Sequence, residues 1–301
     1  MADNLPWCII INANTCKQKR WMQWELLFKR NNLNYTIHTS YTISEVCNTL
    51  SQLLLSGNRY FLFAGGDGTL HHGGNLLIEQ AGDKSKDLVV SVLPCGSGND
   101  WVRTFGIRKD KLIESLKSKN IEPLNLLQLE WPNGNSRYVF NMVGFALDAA
   151  VVFTIDKSGG YASLGYFKYP FALVKTLINQ KQWHAAIKID DKVFAGEWLT
   201  IEYGFGKYCG GGMLVLPHAT FDQPGILLMK PKSLFKIITS IPKLYNGKIN
   251  EQREALTMHG NNLEILNSLP PLPIEADGEW QGYGPVKISV SRGILNRLAE
   301  R

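Results

Sequence analysis

No uninterrupted apolar run in this 301-residue chain approaches the roughly 18 residues of a membrane-spanning helix, so any contact with lipid is expected to be peripheral. The opening residues MADNLPWCIIINAN lack the positive n-region and long h-region of a secretory signal. The five cysteines are odd in number and contain no C-x-x-C pair, which speaks against a zinc site and for free thiols in a reducing compartment, most simply the cytoplasm. Internal repeats, low-complexity tracts and flexible linkers are missing too, and no nucleic-acid-binding motif is present. The net charge of +6 is mild, compatible with nucleic acid, an anionic membrane surface or a phosphate-rich ligand, and selects none of them.

What the chain does have is apolar residues, 45% of the total, enough for roughly two domains at about 100–200 residues each. Up to about Pro123, short apolar runs alternate with amphipathic stretches. Strands are predicted over Trp7 to Ile11, Leu33 to Thr39, Tyr60 to Ala64 and Leu88 to Leu93, with helices over Trp21 to Lys29, Ser44 to Leu55 and Lys109 to Lys117. This alternation implies a parallel sheet covered by helices. Beyond about Asn125 the pattern changes to strands separated by Gly, Pro and Asn turns: Arg137 to Val143, Ala186 to Ile189, Trp198 to Gly204, Ile226 to Met229 and Val286 to Val290. A second, mostly antiparallel domain follows, with helical spacing confined to Tyr161 to Gln180 and Leu234 to Leu244.

Two turns carry the chemistry. Gly65-Gly66-Asp67-Gly68-Thr69 follows the apolar run YFLFA and precedes a helical stretch. Glycines at the end of a parallel strand let the backbone approach a ligand, and their N–H groups, with the helix N-terminus, favour phosphate oxygens. Asp67 would repel phosphate among those donors and is expected to organise the site or a magnesium ion. The alternative for an isolated turn of this kind is a tight glycine bend with Asp67 as a helix cap. The second turn, Leu93-Pro94-Cys95-Gly96-Ser97-Gly98-Asn99-Asp100, offers the Ser97 hydroxyl and the Asn99 amide. Both turns belong at the carboxyl ends of neighbouring strands, where open α/β sheets bind ligands. Arg103 is placed to reach either a phosphate or Asp100.

The pair GGDGT and L-P-x-G-[ST]-G-N-D resembles the diacylglycerol kinase catalytic domain family, which includes bacterial lipid kinases and the sphingosine and ceramide kinases. Further matches run in order: Phe140-Asn141, Gly144, Asp148, Gly210 to Met213, Pro217, Ala219 and Asp277-Gly278-Glu279. The resemblance implies an α/β nucleotide-binding domain over residues 1–124, a mostly antiparallel β-sandwich domain over 125–294, a terminal segment 295–301 returning to the first, and an active site in the cleft between them. It implies ATP and Mg2+ as cofactors and a lipid at a membrane surface as partner, with phosphate passing to a lipid hydroxyl. It leaves open which lipid, and whether the chain forms a homo-oligomer. Carried over by residue, Asn12, Thr39, Gly65, Gly66, Asp67, Gly68, Thr69, Ser97 and Asn99 contact nucleotide. Glu279 accepts the hydroxyl proton with Asp277 beside it. Without the other motifs, Asp-Gly-Glu reads as a type I′ or bulged hairpin turn.

Two departures stand out. The glycine expected after the first strand is replaced in Asn12-Ala13-Asn14-Thr15-Cys16-Lys17, and the turn expected to hold a structural magnesium is interrupted in Asp222-Gln223-Pro224-Gly225, leaving Asp222 as the candidate metal ligand. His71 and His72 are expected to be cap or surface groups. A basic amphipathic stretch, Met229 to Lys248, contains five lysines and no acid and suits either an anionic surface or packing against the second domain. The alternatives to a lipid kinase are an NAD kinase-like enzyme and a catalytically weak nucleotide- or lipid-binding homologue.

Overall fold

A computed structural model describes residues 5–96, 98–158, 168–178 and 182–299. The chain divides into two compact units, residues 1–125 with 292–301, and 126–291.

In the first unit, β1 (Trp7–Asn12), β2 (Tyr35–Ser40), β3 (Tyr60–Gly65) and β4 (Val89–Pro94) form a parallel sheet in the order β2-β1-β3-β4. Helices α1 (Gln18–Arg30), α2 (Ile43–Leu55), α3 (Asp67–Ala81), α4 (Asp100–Thr104) and α5 (Lys109–Ser118) connect and cover it. Strands β1 and β3 are apolar along nearly their whole length because helices bury both faces. Trp24 and Phe28 of α1 and Leu112 and Leu116 of α5 pack with Trp7, Ile9 and Leu62 in one core. Thr42 caps α2 by accepting the Glu45 N–H at 3.2 Å, which explains the helix start. The last residues of the chain return to this unit, Asn296 and Arg297 lying in parallel register with Val89 and Val90.

The second unit is a sandwich. Strand β5 (Ile121–Glu130) leads into it, followed by β6 (Ser136–Val139), β7 (Met142–Ala146), α6 (Leu147–Ser158), α7 (Lys168–Ile178), β8 (Trp183–Ile189), β9 (Lys192–Trp198) and β10 (Thr200–Gly204). Then come β11 (Tyr208–Cys209), β12 (Met213–Leu214), β13 (Gly225–Met229), α8 (Leu234–Leu244) and β14 (Ala255–His259). Strands β15 (Asn262–Leu269), β16 (Pro273–Ala276), β17 (Glu279–Tyr283) and β18 (Lys287–Leu298) complete it. One antiparallel sheet runs β14-β13-β10-β7-β16-β17; β8, β9, β15 and the first part of β18 belong to the facing layer. Between the layers lies a core containing Phe145, Ile187, Ile201, Tyr203, Leu228, Ile265 and Ile274. Strand β13 is buried throughout because Ile226 and Leu228 enter this core while Leu227 and Met229 face a second one with Ile237 of α8.

Several expectations change. The run Arg137 to Val143 is two strands, β6 and β7, broken at Phe140-Asn141, where the backbone N–H groups turn to the Asp277 carboxylate. Trp198 to Gly204 is likewise split at Leu199 between β9 and β10. Helix α6 was not visible as a helix, since LDAAVVFTIDKS is apolar on most of its faces and shows no stripe. Of the predicted helix Tyr161 to Gln180, residues 168–178 form α7 and the rest lies outside the described residues.

Candidate active site

In the first unit the two glycine turns lie at the carboxyl ends of the adjacent parallel strands β3 and β4. They touch: a Cβ on Gly96 would stand 2.5 Å from the Gly66 Cα, and one on Gly66 would stand 3.3 Å from the Gly96 Cα. Only residues without side chains permit that approach. The Asp67 carboxylate accepts the N–H of Asp100 at 3.1 Å and that of Trp101 at 3.0 Å, so it caps α4 from the neighbouring loop. Asn12 donates to the Thr69 hydroxyl at 3.1 Å and, through Oδ1, receives the N–H groups of Asn14 and Thr15. Arg20 donates to the carbonyls of Cys95 and Gly96.

Two expectations about individual residues need revision, those for Asn99 and His71, while Arg103 takes one of its two expected partners. The Asn99 amide is not presented outward: it donates to the Gly96 carbonyl at 2.9 Å and accepts the Gly96 N–H at 3.1 Å, closing the second turn on itself. Arg103 pairs with Asp100 at 2.6 Å. His71 is neither cap nor surface group; it is fully buried in α3, its ring edge-on to His72 at 5.3 Å. Thr39 is exposed in β2, in register with Ile11. Ser97 lies outside the described residues. The loop after β1 also finds a physical account. Cys16, where the resemblance calls for glycine, is buried in the core with Cys95, whose thiol donates to the Cys16 sulfur. That bond holds the Cys16 thiol below its ordinary range and pushes Cys95 well above it.

In the second unit Asp277 and Gly278 form the turn between β16 and β17, both with positive φ, 54° and 83°. The hairpin reading of Asp-Gly-Glu is therefore correct geometrically. The Asp277 carboxylate accepts three backbone N–H groups, from Phe140 and Asn141 at 2.8 Å and Met142 at 3.2 Å, so it fixes the turn against β7. Glu279 follows at the start of β17 and is half-buried.

A group that sequence reasoning missed lies on the face of the same sheet away from the sandwich core. Glu202 of β10 and Glu275 of β16 flank Gly144 of β7 in register, and Asp148 in the first turn of α6 joins them. Burial raises all three carboxyls, Asp148 to about 6; the Asp148 charge adds to the rise at Glu202 and Glu275. The available signal was an acid inside an alternating apolar strand, twice, in T-I-E-Y and P-I-E-A. Asp148, Thr200 and Glu202 line an apolar pocket walled by Leu147, Val151, Leu227, Met229 and Ile237. Asp222 is exposed in a turn closed by the Thr220 N–H to Gln223 carbonyl bond at 2.9 Å, and it does not belong to this acidic group.

Helix α8 buries Ile237 against the second core and leaves Leu234, Phe235 and Ile238 exposed, Phe235 at 76%. Thus the apolar residues of this stretch divide between packing and surface. Among the described residues no helix is long and apolar enough to cross a membrane.

Residues 6–129 match the diacylglycerol kinase catalytic domain, and residues 141–299 match the YegS C-terminal NAD kinase beta sandwich-like domain. The chain is 26% identical over 239 residues to a protein of Staphylococcus aureus (strain Newman) named "Putative lipid kinase", covering 78% of this chain and 75% of that one. The fold is similar to that of a diacylglycerol kinase from Bacillus anthracis str. Sterne, with a TM-score of 0.70 at 14% identity over 98% of this chain and 97% of that one. A second structure from the same organism, named "putative diacylglycerol kinase", gives a TM-score of 0.75 at 17% identity over 98% of this chain and 95% of that one.

Proposed function

Since the chain belongs to the diacylglycerol kinase catalytic domain family of lipid kinases, we propose that it transfers the γ-phosphate of ATP, with Mg2+, to the hydroxyl of a lipid. The observation that carries this reading is the contact, through Gly66 and Gly96, of two glycine turns on adjacent parallel strands, locked by Asp67 to the amides of Asp100 and Trp101. The donor set suits a triphosphate: glycine turns at the carboxyl ends of parallel strands, with backbone N–H groups at the start of α3.

Bound ATP supplies the phosphoryl group and bound magnesium offsets the phosphate charge. The chain's own part is positioning and proton removal. The backbone of Gly65 to Thr69 holds the phosphates, with Asn12 fixing the Thr69 hydroxyl and Asp67 keeping the two turns in contact. Ser97 and Thr39 belong to the nucleotide contacts of this reading. Glu279 accepts the proton of the lipid hydroxyl as the new bond forms, because an alcohol becomes nucleophilic only as its proton moves to a nearby carboxylate. Asp277 is a positioning residue, since its carboxylate is taken up by three amides. The apolar pocket of the second unit suits the hydrocarbon of the acceptor. Exposed Leu234, Phe235 and Ile238 of α8, flanked by Lys230, Lys232, Lys236 and Lys243, suit transient docking at an anionic bilayer.

The test is transfer of radioactive γ-phosphate from ATP to a panel of lipids in mixed micelles, read by chromatography. A labelled lipid supports the reading; label on NAD instead would favour the NAD kinase-like alternative, and label on neither a weak binding homologue.

A further inference from the structure

The row Glu202–Gly144–Glu275 across β10, β7 and β16 brings carboxylates together that have no cationic partner among the described residues. A Cβ on Gly144 would stand 2.4 Å from Asp148 Oδ2, 2.7 Å from Glu275 Oε1 and 2.9 Å from Glu202 Oε2, so three oxygens face the space that this glycine leaves. Each glutamate is held by its other oxygen. The Thr200 hydroxyl donates to Glu202 Oε1 at 2.6 Å, and the Gly278 N–H donates to Glu275 Oε2 at 2.7 Å. Glu202 and Glu275 are only 3% and 2% exposed, and Glu202 Oε2 is buried with no hydrogen-bond partner. Lys232 lines the adjoining pocket, but its ammonium donates to Gln252. Among the described residues these three carboxylates form no ion pair.

Three adjoining carboxylates, Glu202 and Glu275 buried and Asp148 half-buried, require neutralisation, by protons or by a cation. A proton shared between Asp148 and Glu275 removes one charge and still leaves Glu202 Oε2 unsatisfied. One oxygen from each of the three residues lies within 4.8 Å of the others, so there is a point within about 2.8 Å of all three. Calcium–oxygen bonds of roughly 2.3–2.6 Å need only a small inward shift from there, and magnesium or manganese a larger one. Anchored ligands with one free oxygen apiece are also how metal sites orient their carboxylates.

We propose that Asp148, Glu202 and Glu275 form a binding site for one hard divalent cation inside the second unit, separate from any ion carried by the nucleotide. Remaining ligands would be water or an oxygen of a molecule in the apolar pocket, on which Asp148 and Glu202 open. Through Gly278 the ion would stiffen the turn that carries Asp277 and Glu279.

The experiment counts bound Mn2+ by electron paramagnetic resonance in chelator-treated, nucleotide-free protein, for the parent and for Glu202→Gln, Asp148→Asn and Asp222→Asn. Because no nucleotide is present, the outcome is separate from the kinase reading. The expected result is the loss of one bound equivalent in Glu202→Gln and in Asp148→Asn, and no loss in Asp222→Asn. In parallel, Ca2+ should raise the thermal midpoint of the parent and not that of Glu202→Gln, with circular dichroism verifying that each variant is folded. Should Glu202→Gln fail to fold, Asp148→Asn carries the test. Equal Mn2+ counts in the parent and in the folded variants, or no bound Mn2+ in the parent, would overturn the proposal and leave protons as the neutralising species.

Discussion

The Asp67 carboxylate accepts the Trp101 N–H at 3.0 Å, so a side chain of the first glycine turn holds the helix that follows the second. Losing a cap of this kind costs about 0.5–2 kcal/mol. Asp67→Ala should therefore lower stability by roughly 1 kcal/mol in chemical denaturation and weaken ATP binding together with it. Unchanged stability alongside lost binding would mean that Asp67 acts on the ligand alone.

Contact between the turns yields a sharper test of the nucleotide site. Gly66→Val places branched carbon against the Gly96 backbone, where even a Cβ has 3.3 Å. Overpacking of this kind costs about 1–3 kcal/mol, which corresponds to a loss in ATP affinity of about 5- to 150-fold if the turns must part to relieve it. Equal affinities by calorimetry would place the nucleotide elsewhere.

Asp277 and Glu279, with only Gly278 between them, should separate cleanly. Asp277→Asn removes charge from an acceptor of three amides and should destabilise the protein by roughly 1–3 kcal/mol. Glu279→Gln should leave the thermal midpoint and ATP affinity nearly unchanged. A Glu279→Gln protein that unfolds more readily than Asp277→Asn would reverse these roles.

For the membrane, α8 gives the test. Phe235→Ser should change stability by less than about 0.5 kcal/mol, since the side chain is largely exposed, yet reduce sedimentation with anionic liposomes. Replacing Lys232, Lys236 and Lys243 by glutamine should steepen the loss at low salt, although Lys236 also lies 3.7 Å from Glu254. Pelleting equal to the parent in both variants would move the docking surface off this helix.

In chelator-treated protein the buried carboxylates should make stability depend on pH with a definite sign. Their raised folded-state values mean that the folded form binds protons more tightly than the unfolded form. The stabilisation is complete below the ordinary carboxylate range and is lost as pH rises through the folded values, about 6 for Asp148. Urea denaturation from pH 4 upward should show this decline, shallower in Glu202→Gln, where one titrating group is gone. Parallel pH slopes for the two proteins would show that Glu202 does not titrate in the window.

The alternation of apolar runs and the two glycine turns made the first unit legible, because parallel buried strands and phosphate-suited bends both leave local signatures. The β18 return and α6 were harder: the former depends on register with a strand some 200 residues earlier, and the latter presents no single apolar stripe. Side-chain roles were less legible than side-chain presence. Asn99 and Asp277 are polar residues in functional-looking motifs, yet both spend their hydrogen bonds on backbone, which only the folded loops reveal. The acidic group around Gly144 arises from cross-strand register, which joins residues from 144 to 275 and leaves no contiguous pattern.

The most direct measurement is single-turnover transfer of γ-phosphate from ATP to micellar lipid by the parent and by Glu279→Gln, each saturated with ATP and magnesium. A parent that labels a lipid, with Glu279→Gln slower by about 10²–10⁴-fold, is the result expected of a lipid kinase whose base is Glu279. Failure of the parent to label any lipid in the panel, while ATP binds as tightly as to Glu279→Gln, would contradict it.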